Sequence, residues 1–539
     1  MEYYVNKIAW DRIWLLFNVD FISESEDDIY LVNSDNTARF LLKKGSNPSE
    51  YKLNITNPGN CAMLPPGIYT LKSSCDLEGS DSKKQIQFSL LPSKDLDISN
   101  LNRQFIYFHK ERSYRVQFSV KNGLKIKISD IRLKSSSFSG RIRSFIRDSK
   151  NKSLKSILRA IYNFEYIKYH KKNYKSGHSP NILLMSDQSE QMGSNMSALK
   201  ERLISRGYKP YEALRAITTK HYSFIHWIKT LKSIARADYI FLDDHSQTTD
   251  WLKIKGAVIT QLWHAGAGFK STGYARFGMP ASPAPYSGHR QYTYGIAGSL
   301  KIRHFFSEVW GINDEMVLPT GMPRIDVFLN EDHISKAKTL LYKKLADSTG
   351  LDITTLHDKK IMLFAPTYRG ENKRHAYYPY DKLNLDDLYK LCKNKNYIVI
   401  FKMHPFVETP VPIPAGYKDL MIDMTSYENI NDLFYITDLL ITDYSSNIYE
   451  FSLMKKPMLF YSFDIKEYSK ERGFHRDYLS NVPGKVVESF SDLLKAISDE
   501  NFQFEKVSEY IDNNFEYIDA HACDRIIDII IENKKDIIQ

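Results

Sequence analysis

Between Asp438 and Phe474 the hydrophobic period changes twice, which commits this part of the chain to one kind of unit. Leu439 to Ile441 is a short apolar run that suits a buried strand. It stops at Thr442-Asp443-Tyr444-Ser445-Ser446, after which Ile448, Phe451 and Met454 recur at helical spacing. Lys455, Lys456 and Pro457 end that helix, and Met458 to Tyr461 reads as the next buried strand. The result is one α/β unit with hydroxyls at the C-terminal end of a strand. Open α/β sheets bind ligands at that edge, and the N–H groups of a helix N-terminus favour phosphate there. Ser445 or Ser446 can also serve only as an N-cap. Asp464, Arg472 and Gly473 in the following loop favour the ligand reading, because an arginine can clamp a diphosphate whose far end rests on the helix.

The same unit recurs along the chain. Ile182 to Met185 runs into Ser186-Asp187-Gln188 and Gly193-Ser194-Asn195, with helical sequence from Ser197. Asp238 to Leu242 and Val258 to Leu262 are further buried strands, the second leading into Trp263-His264-Ala265-Gly266-Ala267-Gly268-Phe269-Lys270. A second series begins near Lys359, with strands at Ile361 to Phe364, Tyr397 to Phe401, Leu439 to Ile441 and Met458 to Tyr461. Helical sequence from about Phe504 to Ile538 closes it. The expected class is α/β, two doubly wound halves over 179–345 and 346–539 with a cleft between them.

Residues 1–135 read differently. Short β-rich runs at Ile29 to Val32, Arg39 to Leu42, Tyr51 to Ile55, Ile68 to Leu71, Gln85 to Leu90, Tyr114 to Val120 and Leu124 to Ile128 alternate as sheets with one wet face do, so a small β-sandwich is expected. No set of catalytic residue types stands out in it, and its expected role is positioning or partner binding. A chain of 539 residues is too long for one domain, so such a division is natural.

The net charge of +10 is concentrated in a connecting segment, 136–178. Between Arg141 and Lys175, eleven Lys and Arg face only Asp148 and Glu165, which leaves the remainder nearly neutral. Ile142, Phe145, Ile146, Leu154, Ile157, Leu158 and Ile161 interleave there with Arg141, Arg143, Arg147, Lys150, Lys152, Lys155 and Arg159. Amphipathic helices of this kind lie in an anionic membrane interface, each basic residue contributing about 1 kcal/mol. The alternative is a solvated linker helix whose apolar side packs on a neighbouring domain. Nucleic acid and a polyanionic product are further anionic partners that local charge admits.

Cys61, Cys75, Cys392 and Cys523 show neither a CxxC nor a framework spacing, which argues for a reducing compartment and against a zinc site. The first residues carry no signal-peptide pattern, and no window approaches the roughly 18 uninterrupted apolar residues of a membrane span. The expected location is cytoplasmic.

Three strand ends carry reactive side chains: His264 after Val258 to Leu262, Thr367 and Arg369 after Ile361 to Phe364, and Lys402 and His404 after Tyr397 to Phe401. A histidine at a strand end is commonly structural. Two of them at the ligand edges of different halves, with Arg369, Lys402 and the serine pair, fit phosphoryl transfer. That reaction needs a base for a hydroxyl proton and cations or N–H dipoles for phosphate oxygens. The sequence has no Walker motif and no ordered nucleophile triad, so direct displacement is favoured over a covalent intermediate. No cluster has metal-ligand spacing, so no metal is expected to be tightly bound, although a magnesium ion carried by a diphosphate is compatible.

WHAG at 263–266, GMPRID at 321–326, FAPTYRG at 364–370, FKMHP at 401–405 and TDYSS…KP…D…RGF at 442–474 together resemble the CDP-glycerol:poly(glycerophosphate) glycerophosphotransferase family of wall teichoic acid enzymes, over roughly 180 to 535. WHAGAGFKSTGYAR and ADYIFLDD look closest to the ribitol-phosphate transferring members. Many members read WHG followed by Pro and Lys, whereas here Ala265 intervenes and Phe269-Lys270 follow. The resemblance implies a glycosyltransferase-B-like pair of halves, peripheral to the cytoplasmic face of the cell membrane. It implies a CDP-polyol donor, CDP-ribitol first and CDP-glycerol second, for teichoic acid or capsule, and an undecaprenyl-diphosphate-linked acceptor. Nucleic acid is not an implied partner. His264 would be the base and His404 would meet the donor diphosphate. Thr367, Arg369, Lys402, Asp443, Ser445, Ser446, Asp464 and Arg472 would complete the donor side, with Gly266, Lys270 and Arg324 on the acceptor side. A nucleotide-sugar glycosyltransferase and a membrane-recruiting scaffold are the readings from other classes.

Overall fold

A computed structural model describes residues 3–21, 28–73, 91–92, 96–107, 111–121, 123–133, 138–173, 179–266, 269–280, 282–370 and 373–534, without side chains at 3, 21, 91, 138–151 and 172–173. Residues 3–132 build a five-stranded sheet in the order 43–44, 50–54, 14–21, 3–11, 91–92 and a six-stranded sheet in the order 39–41, 29–33, 67–73, 125–132, 112–119, 103–107. Alternation along 112–119 buries Tyr114, Val116 and Phe118 and exposes Gln117 and Ser119. Val5, Leu15 and Phe17 of one sheet share a buried cluster with Leu31, Val116 and Ile126 of the other. The strands at Tyr3–Asp11 and Trp14–Phe21 were not among those expected, since a register shift between Val5 and Lys7 breaks their alternation. The expected strand at Gln85 to Leu90 lies outside the described residues.

This cluster also takes in Phe277 of the α/β region, whose ring lies 5.6 Å from Phe105 and 5.7 Å from Tyr107. Gly278 follows at φ 86°, and a Cβ there would lie 2.8 Å from the Phe105 ring, so only glycine allows the approach.

The basic segment is a helix, Phe138–Asn173. Its later turns are docked: Leu158 and Tyr162 join the core of the first α/β sheet, the Tyr162 hydroxyl accepts from the Lys255 N–H at 2.7 Å, and Glu165 pairs with Arg236. Leu158 therefore belongs to the core rather than to a free apolar face. Leu154, Ile157, Phe164 and Ile167 remain exposed on the outer side with Lys152 and Lys155. The side chains of Arg141, Arg143, Arg147 and Lys150 lie outside the description.

Two mainly parallel sheets follow. One has the strand order 188–189, 211–216, 182–186, 239–242, 258–261, 294–296, 317–318, and the other 421–423, 397–401, 360–364, 439–442, 458–461, 485–487. Their central strands are buried on both faces, as a parallel sheet covered by helices requires. The closing helical segment crosses back to the first sheet's helices: the Asp326 carboxylate accepts from the Ala522 and Cys523 N–H groups at 2.8 Å each, and Arg206 binds Asp528 at 2.6 Å.

Glu308, buried on helix Arg303–Trp310, ties three parts of the chain together. It accepts from the Trp14 indole at 2.8 Å, from Arg12 at 3.2 Å and from His475 Nε2 at 2.6 Å. Burial opposes its ionisation, but His475 and Arg12 outweigh that and hold the carboxyl down at about 2. Removing one partner of such a group strands the others. We expect Glu308→Ala to lose on the order of 3 kcal/mol in urea unfolding. Lys43→Ala, which breaks an exposed pair with Asp314, should lose less than about 1 kcal/mol.

Candidate active site

In each doubly wound sheet the strand order reverses at one point, and the loops there cannot pack against each other. In the first sheet this point lies between strands 182–186 and 239–242, beside Asp243 and Asp244; in the second it lies between 360–364 and 439–442, beside Thr367 and Ser445. A cavity of about 390 Å³ occupies the cleft between the halves. Trp263, His264 and Lys270 line it from one side, and Thr367, Lys402, His404, Ser445 and Ser446 from the other. The rims are stitched together, because the His475 N–H donates to the Phe269 carbonyl at 2.7 Å and Lys270 bridges Phe474.

The turn carrying His264 is rigidly held. Trp263 takes φ 56°, its N–H donates to Gln261 Oε1 at 2.9 Å, and Asn195 donates to its carbonyl at 2.7 Å. Arg324, buried and paired with Glu450, donates to the His264 carbonyl at 2.6 Å. The imidazole itself is exposed, with Nδ1 3.8 Å from Asp244 Oδ2. A carboxylate on that side favours the proton on Nδ1 and leaves Nε2 free to accept, as a general base must.

His404 has the opposite character. The Phe406 N–H donates to its Nδ1 at 3.1 Å, which fixes the ring proton on Nε2. Burial, then the ammonium groups of Lys270 and Lys402, depress its pKa to about 4. Tyr368 and Phe406 hold the ring at centroid distances of 4.7 and 4.5 Å. His404 is therefore a neutral N–H donor over the working pH range.

Lys270, expected on the acceptor side, lies in the electrostatic field of the second half. Burial lowers its ammonium to about 8, opposed by Asp443 and reinforced by Arg472 and Arg369. Lys402 donates to the Thr425 carbonyl at 2.8 Å, and burial depresses it as well. Ser445 makes a local turn bond, its Oγ accepting from the Asn447 N–H at 3.2 Å, but the N-cap position of the helix that follows is Asn447, so Ser445 is not its cap; it lines the cavity. The helix that follows is short, Ile448–Ser452, because a turn with Lys455 at φ 51° ends it early.

Six expected contact residues, Arg369, Asp443, Asp464, Arg324, Gly266 and Arg472, lie off the cavity wall. Arg369 is buried between Asp443 at 2.9 Å and Asp464 at 2.5 Å, and the Tyr444 hydroxyl donates to Asp464 at 3.0 Å. A buried guanidinium needs such partners, so these three charges serve one another and brace the loops that present Thr367 and Ser445. Arg324 acts from behind His264, as above. Gly266 is demanded by packing, since a Cβ there would lie 2.5 Å from the Tyr449 ring. Arg472, half-buried, donates to the Gly370 carbonyl at 2.9 Å and faces Lys270. Asp244 was overlooked, although it stands two residues beyond the buried strand Tyr239–Leu242. Trp263 and Tyr368 on the cavity wall were missed as well.

Neutral N–H, hydroxyl and ammonium groups on one wall and an exposed, carboxylate-backed imidazole on the other suit holding an anion while a proton is removed from an incoming hydroxyl. With ¹⁵N-labelled histidine, His404 should keep the neutral Nε2–H pattern down to about pH 5. Lys270→Met should raise its pKa by removing a neighbouring positive charge. A titration unchanged by that substitution would contradict the geometry.

Residues 167–532 match the family described as CDP-Glycerol:Poly(glycerophosphate) glycerophosphotransferase. The chain is 28% identical to the teichoic acid ribitol-phosphate polymerase TarL of Staphylococcus aureus, over 97% of this chain and 98% of that protein. It is 34% identical to a teichoic acid poly(ribitol-phosphate) polymerase of Bacillus spizizenii, over 71% of this chain and 60% of that one. The solved structure of the wall teichoic acid polymerase TagF superposes with a TM-score of 0.54 at 22% identity, over 75% of this chain and all of that one.

Proposed function

The chain belongs to the CDP-Glycerol:Poly(glycerophosphate) glycerophosphotransferase family, and from that premise we propose that it moves a polyol phosphate from a CDP-polyol to a hydroxyl of a lipid-linked wall polymer, releasing CMP. Ribitol phosphate is the group transferred, a choice supported by the two ribitol-phosphate polymerases it resembles. The carrying observation is that His264 and Lys270 on one side of a single cavity meet His404, Lys402 and the Ser445–Ser446 pair on the other.

His264 Nε2 takes the proton of the acceptor hydroxyl, with Asp244 stabilising the imidazolium that forms. The freed oxygen attacks the donor phosphorus that bears the polyol, and the bond from that phosphorus to the oxygen bridging it to CMP breaks. His404 Nε2–H, Lys270 and the Ser445 and Ser446 hydroxyls hold the charge that builds on the diphosphate. Among the described residues no group of three or more His, Cys, Asp or Glu side chains could hold a metal ion. Magnesium would enter with the donor diphosphate.

Incubation with CDP-ribitol, CDP-glycerol and a lipid-linked acceptor tests this reading, with CMP released from CDP-ribitol as the expected result and no CMP from either donor as the contrary one. His264→Ala should cost about 10²–10⁴ in turnover. The kcat/KM for the donor should fall as pH rises through about 8, where free Lys270 loses its charge, and Lys270→Met should abolish that limb.

No described helix is long and apolar enough to cross a membrane. Reversible attachment to an anionic membrane is supported by the exposed Leu154, Ile157 and Phe164 beside basic side chains. Replacing Arg141, Arg143, Arg147, Lys150 and Lys152 by glutamine should release the protein from anionic vesicles at low salt, with turnover of a water-soluble acceptor little changed. Continued pelleting would place the anchor elsewhere.

A further inference from the structure

A second cavity, of about 1310 Å³, lies beside the first, and the Trp263 side chain lines both. It runs between the helix Phe138–Asn173, the loop residues Pro280 and Ser282 to Ser287 and the strand Arg103–Tyr107, so three parts of the chain contribute walls. None of the proton-transfer or diphosphate-binding groups reaches into it. We propose that it binds an uncharged, polyhydroxylated unit of the acceptor, a sugar ring or a free polyol, while the terminal hydroxyl of that acceptor passes Trp263 to reach His264; the inference rests on the transferase reading.

The wall has the chemistry such a unit needs. Trp227 and Trp251 meet edge to face at 5.9 Å, so their planes form a corner, and Tyr286 stands beside the cavity with 79% of its surface open. Rings of this kind take the C–H faces of a carbohydrate. Gln247, Asp250 and His245 stand among them as partners for hydroxyls. Their positions are fixed: Asp250 accepts from the Gly288 N–H at 2.7 Å and lies 3.1 Å from His245 Nε2, and His245 stacks on the buried His289 at 3.9 Å. The Trp227 ring is backed by the Arg215 guanidinium at 4.4 Å, which is itself buried, paired with Asp187 and bonded to Thr248 at 2.9 Å. The ring is thereby held in orientation while one side stays open. Lys155 is the one permanent cation among the described lining residues, and Asp250 offsets it, so the cavity does not select a polyphosphate backbone.

The test uses the full chain and two soluble acceptors, one carrying a sugar unit joined to polyol phosphates and one carrying polyol phosphates alone. Tyr286→Ala, at an exposed position, should raise the acceptor KM about tenfold with kcat and the donor KM unchanged. A rise confined to the sugar-bearing acceptor assigns the cavity to the sugar, and an equal rise for both assigns it to the polyol. Independently of turnover, the tryptophan fluorescence of the enzyme should change and saturate on titration with the better acceptor, and Trp251→Phe should diminish that change. Unaltered acceptor KM in an active Tyr286→Ala enzyme, or no saturable fluorescence change, overturns the inference. So does competition by a sugar-free polyprenyl phosphate that Tyr286→Ala abolishes, since the cavity would then hold the lipid chain. Saturable binding without CMP release would instead count against the transferase reading alone.

Discussion

The buried carboxylate of Glu308 is the constraint on which the cleft depends. It binds the N-terminal sheets through Arg12 and Trp14, and the second α/β half through His475. His475 is one residue from Phe474, which bridges Lys270, so the same contact sets how far apart the two walls of the cavity stand. Chemistry at phosphorus requires the base and the diphosphate-binding groups to be held at a fixed spacing before substrate arrives. A single ionised group joined to three partners supplies that spacing more firmly than scattered surface pairs would.

The two histidines differ because their surroundings differ. His404 is packed against aromatic rings beside two ammonium groups, so protonating it would add a third positive charge to a confined space. His264 is open to solvent, with Nδ1 3.8 Å from Asp244 Oδ2. The contrast follows from burial and neighbours rather than from residue type, and each histidine depends on groups outside the cavity. Arg324 and Asn195 hold the first through its backbone, while the Arg369, Asp443 and Asp464 cluster shapes the loops facing the second.

The central parallel strands were legible within about a residue, because burial on both faces leaves continuous apolar runs such as Ile182 to Met185 and Tyr397 to Phe401. The strands Tyr211–Ala216, Tyr294–Ile296, Val317–Leu318, Met421–Asp423 and Lys485–Val487 were not, since they are short or, at Tyr211–Ala216, half polar. The histidines could be picked out because a strand end at a sheet's ligand edge is a topological position that sequence order reveals. Whether a charged side chain also meets another charge is not written in spacing, so the pairing of Arg369 with Asp443 and Asp464 could not be read from the sequence. Asp244 escaped notice because its partnership with His264 depends on two strands becoming neighbours in the sheet.

A crystal structure with CDP bound tests the central claim most directly. The account predicts the terminal phosphate within hydrogen-bonding distance of His404 Nε2 and the Lys270 ammonium, with the Ser445 and Ser446 hydroxyls alongside and His264 across the cleft. A diphosphate seated away from His404, or one whose terminal phosphate faces His264 while Lys270 stays unoccupied, would contradict it.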